Sequence, residues 1–282
     1  SRFGFFQSSF DLRATLLGML TQVIAGFYDP DTKKLYLIKE EVKKGKWWSK
    51  LLGDSGFDPA EQKTVLAHEM SHALMDQYFD LFSLHRSVED DDDAALALSA
   101  LIEGEATLSM LADMRGNAWK EMLRSGPGAT GSLMSLAMSF AGSFSAGDAF
   151  ARAPLLLKET LLFPYLKGLI LCWKLAEDTS GAWDGVNAAF GDPPSSTEQV
   201  LHPEKYRPGA ADLDDPVALE LPGSGPLLPG EWDLVKENVL GELQIEILLR
   251  EKLGSRASEA AAAGWDGDLY RVYRRKDRHG TT

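Results

Sequence analysis

The chemistry in this sequence is concentrated in one pentapeptide, His68-Glu69-Met70-Ser71-His72. Histidines four residues apart lie on the same side of a helix, so both imidazoles can bind one metal ion. The glutamate after the first histidine lies on that side too, where it can act as a general base without being a ligand. Zinc lowers the pKa of a bound water towards 7 and polarises carbonyls, so this pattern predicts metal-assisted hydrolysis.

The pentapeptide could also occur by chance or hold a purely structural zinc. The chain has 5 histidines in 282 residues, and this composition gives an expectation of roughly 0.006 such motifs. A structural zinc site usually closes four protein ligands and has no use for a glutamate beside a histidine ligand. The sequence therefore favours a catalytic metal with Glu69 as its base.

Two histidines need a third ligand, and the single cysteine, Cys172, rules out a cysteine-rich zinc module and an intramolecular disulfide. Residues 101–106 offer Glu103 and Glu105. These two lie about 200° apart around a helix, so only one of them can face the metal. Apolar residues accompany both on their helical faces, and periodicity leaves the choice open.

The elements that position these residues are mostly helical. Asp58 is a typical N-cap and Pro59 a typical first helical residue, which predicts a helix from Pro59 to about Phe79. A second long helix is predicted from the acidic run at 89–93, taken as a solvated entrance, to about Leu123. Further predictions are a helix over 10–26, a strand over 34–38, a loop over 43–56 with Trp47 and Trp48 packed, loop or weak helix over 125–150, a helix over 155–177 interrupted at Pro164, a helix over 231–253 closed by Gly254, and an edge strand over 269–274.

Composition and charge narrow the class of protein. With 44% hydrophobic and 25% charged residues, and no internal repeat, the chain is predicted to form a single domain over residues 1–282. A net charge of −13 argues against nucleic acid or an anionic membrane surface as main partner; it favours solubility, with a preference for basic substrates as the alternative. No uninterrupted apolar run of about 18 residues could span a bilayer. The chain starts at Ser1, which leaves open a removed leader, as in secreted or cell-envelope proteins.

The helix with the pentapeptide and the glutamate stretch together resemble the gluzincins, thermolysin-like zinc peptidases in which a second helix donates a glutamate ligand. In several gluzincins the donor stretch looks like Glu-Gly-x-Ala with the first glutamate as ligand, which matches Glu103-Gly104-Glu105-Ala106. The resemblance implies that Glu103 completes a Zn²⁺ site with the two histidines. It also implies that Gly104 lets the helices approach closely and that Glu105 lies behind the ligands or at the surface.

Two further residues bear on this resemblance. Asp76 stands four residues after the second histidine, as in the thermolysin-type helix, where it either orients a ligand or caps the solvent face. Thr107 stands where thermolysin has an aspartate that follows the ligand glutamate, so another group must orient the first histidine. More widely, the chain resembles a bacterial gluzincin-like group over residues 26–30, 68–81, 103–108, 193–206 and 264–268.

A zinc peptidase also needs a donor that stabilises the oxyanion formed at the carbonyl. His202 and Tyr206 are the predicted catalytic residues for this role, because they lie in an irregular stretch whose direction is set by neighbouring prolines. The alternative is that His202 is a capping or packing histidine and Tyr206 is simply buried. Tyr165 or His85 could then serve instead.

The sequence thus predicts a predominantly helical α+β, zincin-like fold with an active-site helix, a small β-sheet and a second, glutamate-donating helix. The strand at residues 35–38 is expected beside the active helix, where its edge could pair with a peptide or protein substrate. The predicted function is zinc-dependent peptide hydrolysis. A non-peptide amide or ester hydrolase and a non-catalytic interaction protein on a retained peptidase scaffold are the alternatives, while endo- or exopeptidase action and oligomeric state stay undetermined.

Overall fold

A computed structural model describes residues 10–23, 26–37, 59–116, 118–119, 121, 148–179, 183–206, 214–222 and 231–275. The predictions for residues 43–56 with Trp47 and Trp48, for Asp58, and for most of 125–150 lie outside these residues. The described helices are α1 (Leu12–Val23), α2 (Pro59–Phe79), α3 (Leu81–Ser87), α4 (Asp92–Arg115), α5 (Asp148–Arg152), α6 (Leu155–Asp178), α7 (Asp184–Gly191), α8 (Thr197–Leu201), α9 (Gly241–Leu253) and α10 (Ser255–Ala262). The described strands are β1 (Gly26–Asp29), β2 (Lys34–Leu37), β3 (Trp232–Asn238) and β4 (Tyr270–Arg275). The fold is therefore α+β and mostly helical, as predicted.

Helix α4 is the central element of the described structure. It packs most extensively against α6, and also against α2 and α8. Most of its apolar residues between Ala94 and Leu111 are buried. The helix begins as the acidic run predicts, with the Asp91 side chain accepting from the backbone N–H groups of Asp93 and Ala94. The run is not uniformly solvated, however, since Asp93 is only 1% exposed.

The same helix has the length and composition that would allow it to cross a membrane. Its most apolar window has a mean hydropathy of 1.4, although Glu103 and Glu105 interrupt the apolar run. Of that window 67% is buried inside the protein. This burial is typical of a core helix.

Helix α6 passes through Pro164 without a break, so the predicted interruption is wrong. Proline removes one helical hydrogen bond and crowds the preceding turn, at a cost of about 3 kcal/mol. Phe163, Leu169 and Cys172 around it are buried in the core that α6 shares with α4. Tertiary packing of this kind stabilises helices more than local propensity does, and it offsets the proline.

The described residues also form two small antiparallel sheets. In the first, β1 pairs with β2 so that Gly26 lies opposite Leu37 and Asp29 opposite Lys34. This hairpin packs on α2, and β1 makes the closer contact. The strand at 35–38 therefore does contact the helix that carries the two histidines, as predicted, but β1 contacts that helix more extensively.

The second sheet shows that the predicted helix over 231–253 is wrong in its first half. Trp232–Asn238 forms β3, which pairs with β4, and α9 begins only at Gly241. Gly241 has a φ of +74°, and a Cβ there would lie 1.7 Å from Asp93 Oδ1. This start of α9 therefore requires a residue without a side chain. Helical periodicity could not reveal this strand, because its partner lies far along the chain, beyond α10.

Candidate metal centre

The two histidines of α2 face the same space, as their spacing predicts. Their Nε2 atoms lie 3.2 Å apart, and their rings meet edge to face with centroids 4.8 Å apart. Their side chains are largely buried, with 14% exposed for His68 and 12% for His72. Two nitrogen donors are thus held close together at the edge of the core.

Glu103 of α4 supplies the third donor. Its Oε2 lies 3.2 Å from His68 Nε2 and 3.5 Å from His72 Nε2. Among the described residues, His68, His72 and Glu103 form a group whose ligand atoms all lie within 4.8 Å of one another. Ligands at about 2.0–2.1 Å from a tetrahedral zinc are separated by roughly 3.3 Å, so the three distances fit such an ion.

Charge in the group also fits a cation. Burial opposes ionisation of Glu103, but the neighbouring His72 and the hydrogen bonds from both histidines outweigh it and hold the pKa of the carboxyl well below its usual value. Burial likewise lowers the pKa of His72, yet the Glu103 carboxylate outweighs burial and raises it. The space between the three side chains is therefore favourable for positive charge, which a metal ion could supply in place of a proton.

Glu69 lies next to the group but is not part of it. It is 7% exposed, and its Oε2 accepts a hydrogen bond of 2.9 Å from the backbone N–H of Tyr28 on β1. A carboxylate that lies beside three candidate ligands without joining them has the position that a general base would require. No local sequence signal marks Tyr28 for this contact.

Tyr165 enters the centre from α6. Its ring stacks on that of His68 with centroids 6.3 Å apart and an angle of 25°, and its hydroxyl hydrogen-bonds to Glu103. Burial first, and then the negative charges of Glu103 and Glu69, raise the pKa of this phenol well above 10. Tyr165 thus stays a neutral hydrogen-bond donor at the centre over the whole physiological range.

His85 of α3 is close enough to the centre to interact with it electrostatically. Burial lowers its pKa, Glu103 raises it and His72 lowers it, with a net decrease. Of the four candidate oxyanion donors, Tyr165 and His85 are therefore the two whose surroundings include the ligands.

His202 and Tyr206 have their polar partners elsewhere. His202 Nε2 lies 2.9 Å from Oε1 of Glu242 on α9, and the Tyr206 hydroxyl donates to the backbone carbonyl of Asp192 at 2.5 Å. Tyr206 is 2% exposed. Among the described residues, neither side chain is hydrogen-bonded to a ligand, so their predicted catalytic role stays a prediction while their structural contacts are evident.

Three other residues of α2 and α4 bear on the predicted centre, and burial of Glu105 agrees with the alternative that it lies behind the candidate ligands. Asp76 is buried and accepts hydrogen bonds from Tyr28 and Lys33 of the hairpin, not from a histidine. Glu105 is no surface residue: burial raises its pKa, and its Oε1 accepts from Ser109. Within the described part of the chain, the hydroxyl of Thr107 is buried without a hydrogen-bond partner.

Comparisons of this chain with protein-family models, with curated proteins and with solved structures found no match.

Proposed function

We propose that this protein is a zinc-dependent peptidase with a gluzincin-like, zincin-type fold. The observation that carries the proposal is the convergence of His68, His72 and Glu103 at tetrahedral spacing, with Glu69 beside them and outside the ligand set. Three protein ligands leave a fourth position for water or substrate, which distinguishes catalytic from structural zinc sites.

The ligand roles follow from the donor atoms. His68 and His72 would bind through Nε2 and Glu103 through Oε2, since these atoms converge. Bound zinc supplies a Lewis acid that acidifies water and polarises a carbonyl. The lowered pKa of Glu103 keeps a negative charge among the three donor atoms, and a bound cation would replace the proton that this charge favours on His72.

The general base is Glu69. Its Oε2 is held by the Tyr28 amide, which leaves Oε1 to accept a proton from the attacking water. Attack of the water forms the C–O bond and places the negative charge on the carbonyl oxygen; the same carboxyl group then donates its proton to the amine nitrogen, and the C–N bond breaks. Burial of Glu69 excludes bulk water from the transfer and favours this role.

Tyr165 is proposed as the donor to the oxyanion. Its hydroxyl already lies at the ligand Glu103 and could turn from the carboxylate to the developing negative charge on the substrate oxygen. Because the pKa of Tyr165 is raised, the hydroxyl keeps its proton during the reaction. The substrate peptide is proposed to lie along β1, the strand that packs more extensively on α2, where main-chain hydrogen bonds could hold it extended.

The test is a measurement of metal content followed by digestion of an unbiased peptide library, with and without chelator. We expect one zinc per chain and chelator-sensitive cleavage. Glu69→Gln is the matched control, since it should retain zinc and lose cleavage. Absence of zinc binding, or zinc binding without hydrolysis of any peptide, would refute the proposal; hydrolysis of esters or small amides alone would reassign the substrate.

A further inference from the structure

Tyr28 contacts the metal-binding helix at two separate points. Its backbone N–H donates to Glu69 Oε2 at 2.9 Å, and its side-chain hydroxyl donates to Asp76 Oδ2 at 2.7 Å. Glu69 and Asp76 lie seven residues apart on α2, which corresponds to about 10 Å along the helix axis. Two contacts at that separation fix both the position and the direction of β1 on the helix.

A second hairpin residue reinforces the outer contact. Lys33 Nζ lies 2.7 Å from Asp76 Oδ2, and Lys33 has a φ of 54°, a left-handed conformation at the end of the hairpin turn. The Asp29 carboxylate organises that turn by accepting from the backbone N–H of Asp31 and from the Thr32 hydroxyl. The conformation of the turn therefore directs the Lys33 side chain towards Asp76 on α2.

The acceptor of these contacts is itself firmly placed. Asp76 is 5% exposed, and its Oδ1 accepts from the backbone N–H of Leu81 at the start of α3. Burial opposes its ionisation, but the hydrogen bonds from Lys33 and Tyr28 outweigh burial and lower the pKa of Asp76. A buried carboxylate with three donors is a rigid, charged anchor for the hairpin.

At the inner contact the strand lies directly against the base. A Cβ on Gly26 would lie 3.6 Å from Glu69 Cγ, and only 2.9 Å from the Tyr36 carbonyl oxygen. The absence of a side chain at Gly26 thus allows β1 to reach Glu69 while it remains paired with β2. Any shift of β1 would move the Tyr28 amide relative to the carboxylate.

We propose that Tyr28 is a positioning residue for Glu69: its hydroxyl anchors β1 on Asp76, and that anchor places its amide where it selects one carboxylate oxygen. With Oε2 held by the amide, Oε1 is the oxygen presented to the reacting water. The catalytic part of this inference rests on the proposed peptidase function, whereas the anchoring part does not.

The experiment compares Tyr28→Phe with Tyr36→Phe. Both variants remove one phenolic oxygen from the same hairpin, but Tyr36 is 41% exposed and stacks on Phe27 without a hydrogen bond from its hydroxyl to the described residues. Amide hydrogen exchange over residues 26–29 is measured for each, together with zinc content, kcat and KM. Glu69→Ala provides an independent check on the amide contact.

We expect Tyr28→Phe to raise the exchange rate at the position-28 amide about tenfold or more. The variant loses the hydrogen bond from the Tyr28 hydroxyl to the buried Asp76 carboxylate, which anchors β1 on α2. Its kcat should fall about tenfold with zinc content and KM unchanged, and Tyr36→Phe should match the wild type in all four measurements. Glu69→Ala should speed exchange at the Tyr28 amide without affecting the Asp76 contact.

Unchanged exchange at position 28 in Tyr28→Phe would overturn the anchor. Faster exchange with an unaltered kcat would overturn the positioning role, as would an equal loss of kcat in Tyr36→Phe or loss of zinc along with activity. If the wild-type protein cleaves no peptide, the proposed peptidase function fails, while the exchange rates still decide whether Tyr28 anchors the strand at Glu69.

Discussion

Gly104 and Gly168 bring the backbones of α4 and α6 into direct contact. A Cβ on Gly104 would lie 2.2 Å from the carbonyl carbon of Gly168, which no side chain could tolerate. Glu103 precedes Gly104, and Tyr165 stands about one turn before Gly168. The close crossing is therefore what brings the phenol of one helix to the carboxylate of the other. The resemblance implied that Gly104 lets the two helices of the metal centre approach closely; in the structure its closest approach is instead to Gly168 of α6.

Gly104→Ala should destabilise the protein by about 2 kcal/mol or more, because overpacking at a backbone contact forces the helices apart. Urea or thermal unfolding followed by circular dichroism measures this. Gly191→Ala is the control, since a Cβ there would meet nothing within 4 Å; it should change the unfolding free energy by no more than about 0.5 kcal/mol. Equal stabilities of the two variants would contradict the crossing geometry.

Replacing Glu103 or Glu105 of α4 by glutamine tests which of the two is the proposed zinc ligand. Glu103→Gln should weaken zinc binding about 100-fold or more, because it removes a charged donor from the converging group. Glu105→Gln should leave affinity nearly unchanged, since Glu105 is outside that group and burial already favours its neutral form. Isothermal titration with zinc gives both affinities. Loss of affinity in Glu105→Gln alone would reverse the assignment.

Tyr165→Phe and Tyr206→Phe test which tyrosine serves the reaction. Removal of an oxyanion donor should lower kcat about 100-fold with little change in KM or zinc content, and we expect this only for Tyr165→Phe. Tyr206→Phe should instead lower stability by about 1 kcal/mol, through loss of the hydrogen bond to Asp192. A large fall in kcat for Tyr206→Phe or His202→Ala, with zinc retained, would restore the sequence-based assignment.

The parts of the site that could be predicted from sequence are those determined within one helix. The convergence of His68 and His72 follows from helical periodicity, and the start of α2 at Pro59 follows from capping preferences. Glu103 could be distinguished from Glu105 only through the family resemblance, because which face of α4 meets α2 is decided by packing. The contacts of Tyr28 and Tyr165 with the centre join distant parts of the chain, and no local pattern signals them.

The stretch at 193–206 makes structural contacts that its sequence does not reveal. Its prolines and polar side chains are typical of functional loops, and they favour a catalytic role for His202 on that basis. In the structure the Ser196 side chain caps α8 and Thr197 hydrogen-bonds to Asp93. Because Thr197 also accepts a hydrogen bond from the backbone N–H of Leu243, the stretch links the N-terminal ends of α4 and α9. The sequence could not show this link, because the helix predicted over 231–253 placed the start of α9 about ten residues too early.

Asp93, near the start of α4, is the buried carboxyl group that accepts hydrogen bonds from Thr197. Its Oδ1 accepts from the Thr197 hydroxyl at 2.6 Å and its Oδ2 from the Thr197 amide at 3.0 Å. Burial raises its pKa from 3.8 to about 7, with the charges of Asp91 and Asp268 acting in the same direction and the hydrogen bonds from Thr197 opposing it. The folded protein therefore binds a proton at Asp93 more tightly than the unfolded chain does.

Because the folded-state pKa is the higher one, the contribution of Asp93 to stability is fully present below about pH 4 and is lost as the pH rises to about 7. Asp93→Asn, which is nearly isosteric and uncharged, should lack this loss. Between pH 5 and pH 8 the unfolding free energy of the variant should therefore improve relative to the wild type by roughly 2 to 3 kcal/mol. Urea unfolding of both proteins across this range measures the difference directly, and effects of the histidines cancel because they are common to both. Parallel pH dependences would show that Asp93 ionises in the folded protein as easily as in the unfolded chain, and its burial beside Thr197 would then have no influence on stability.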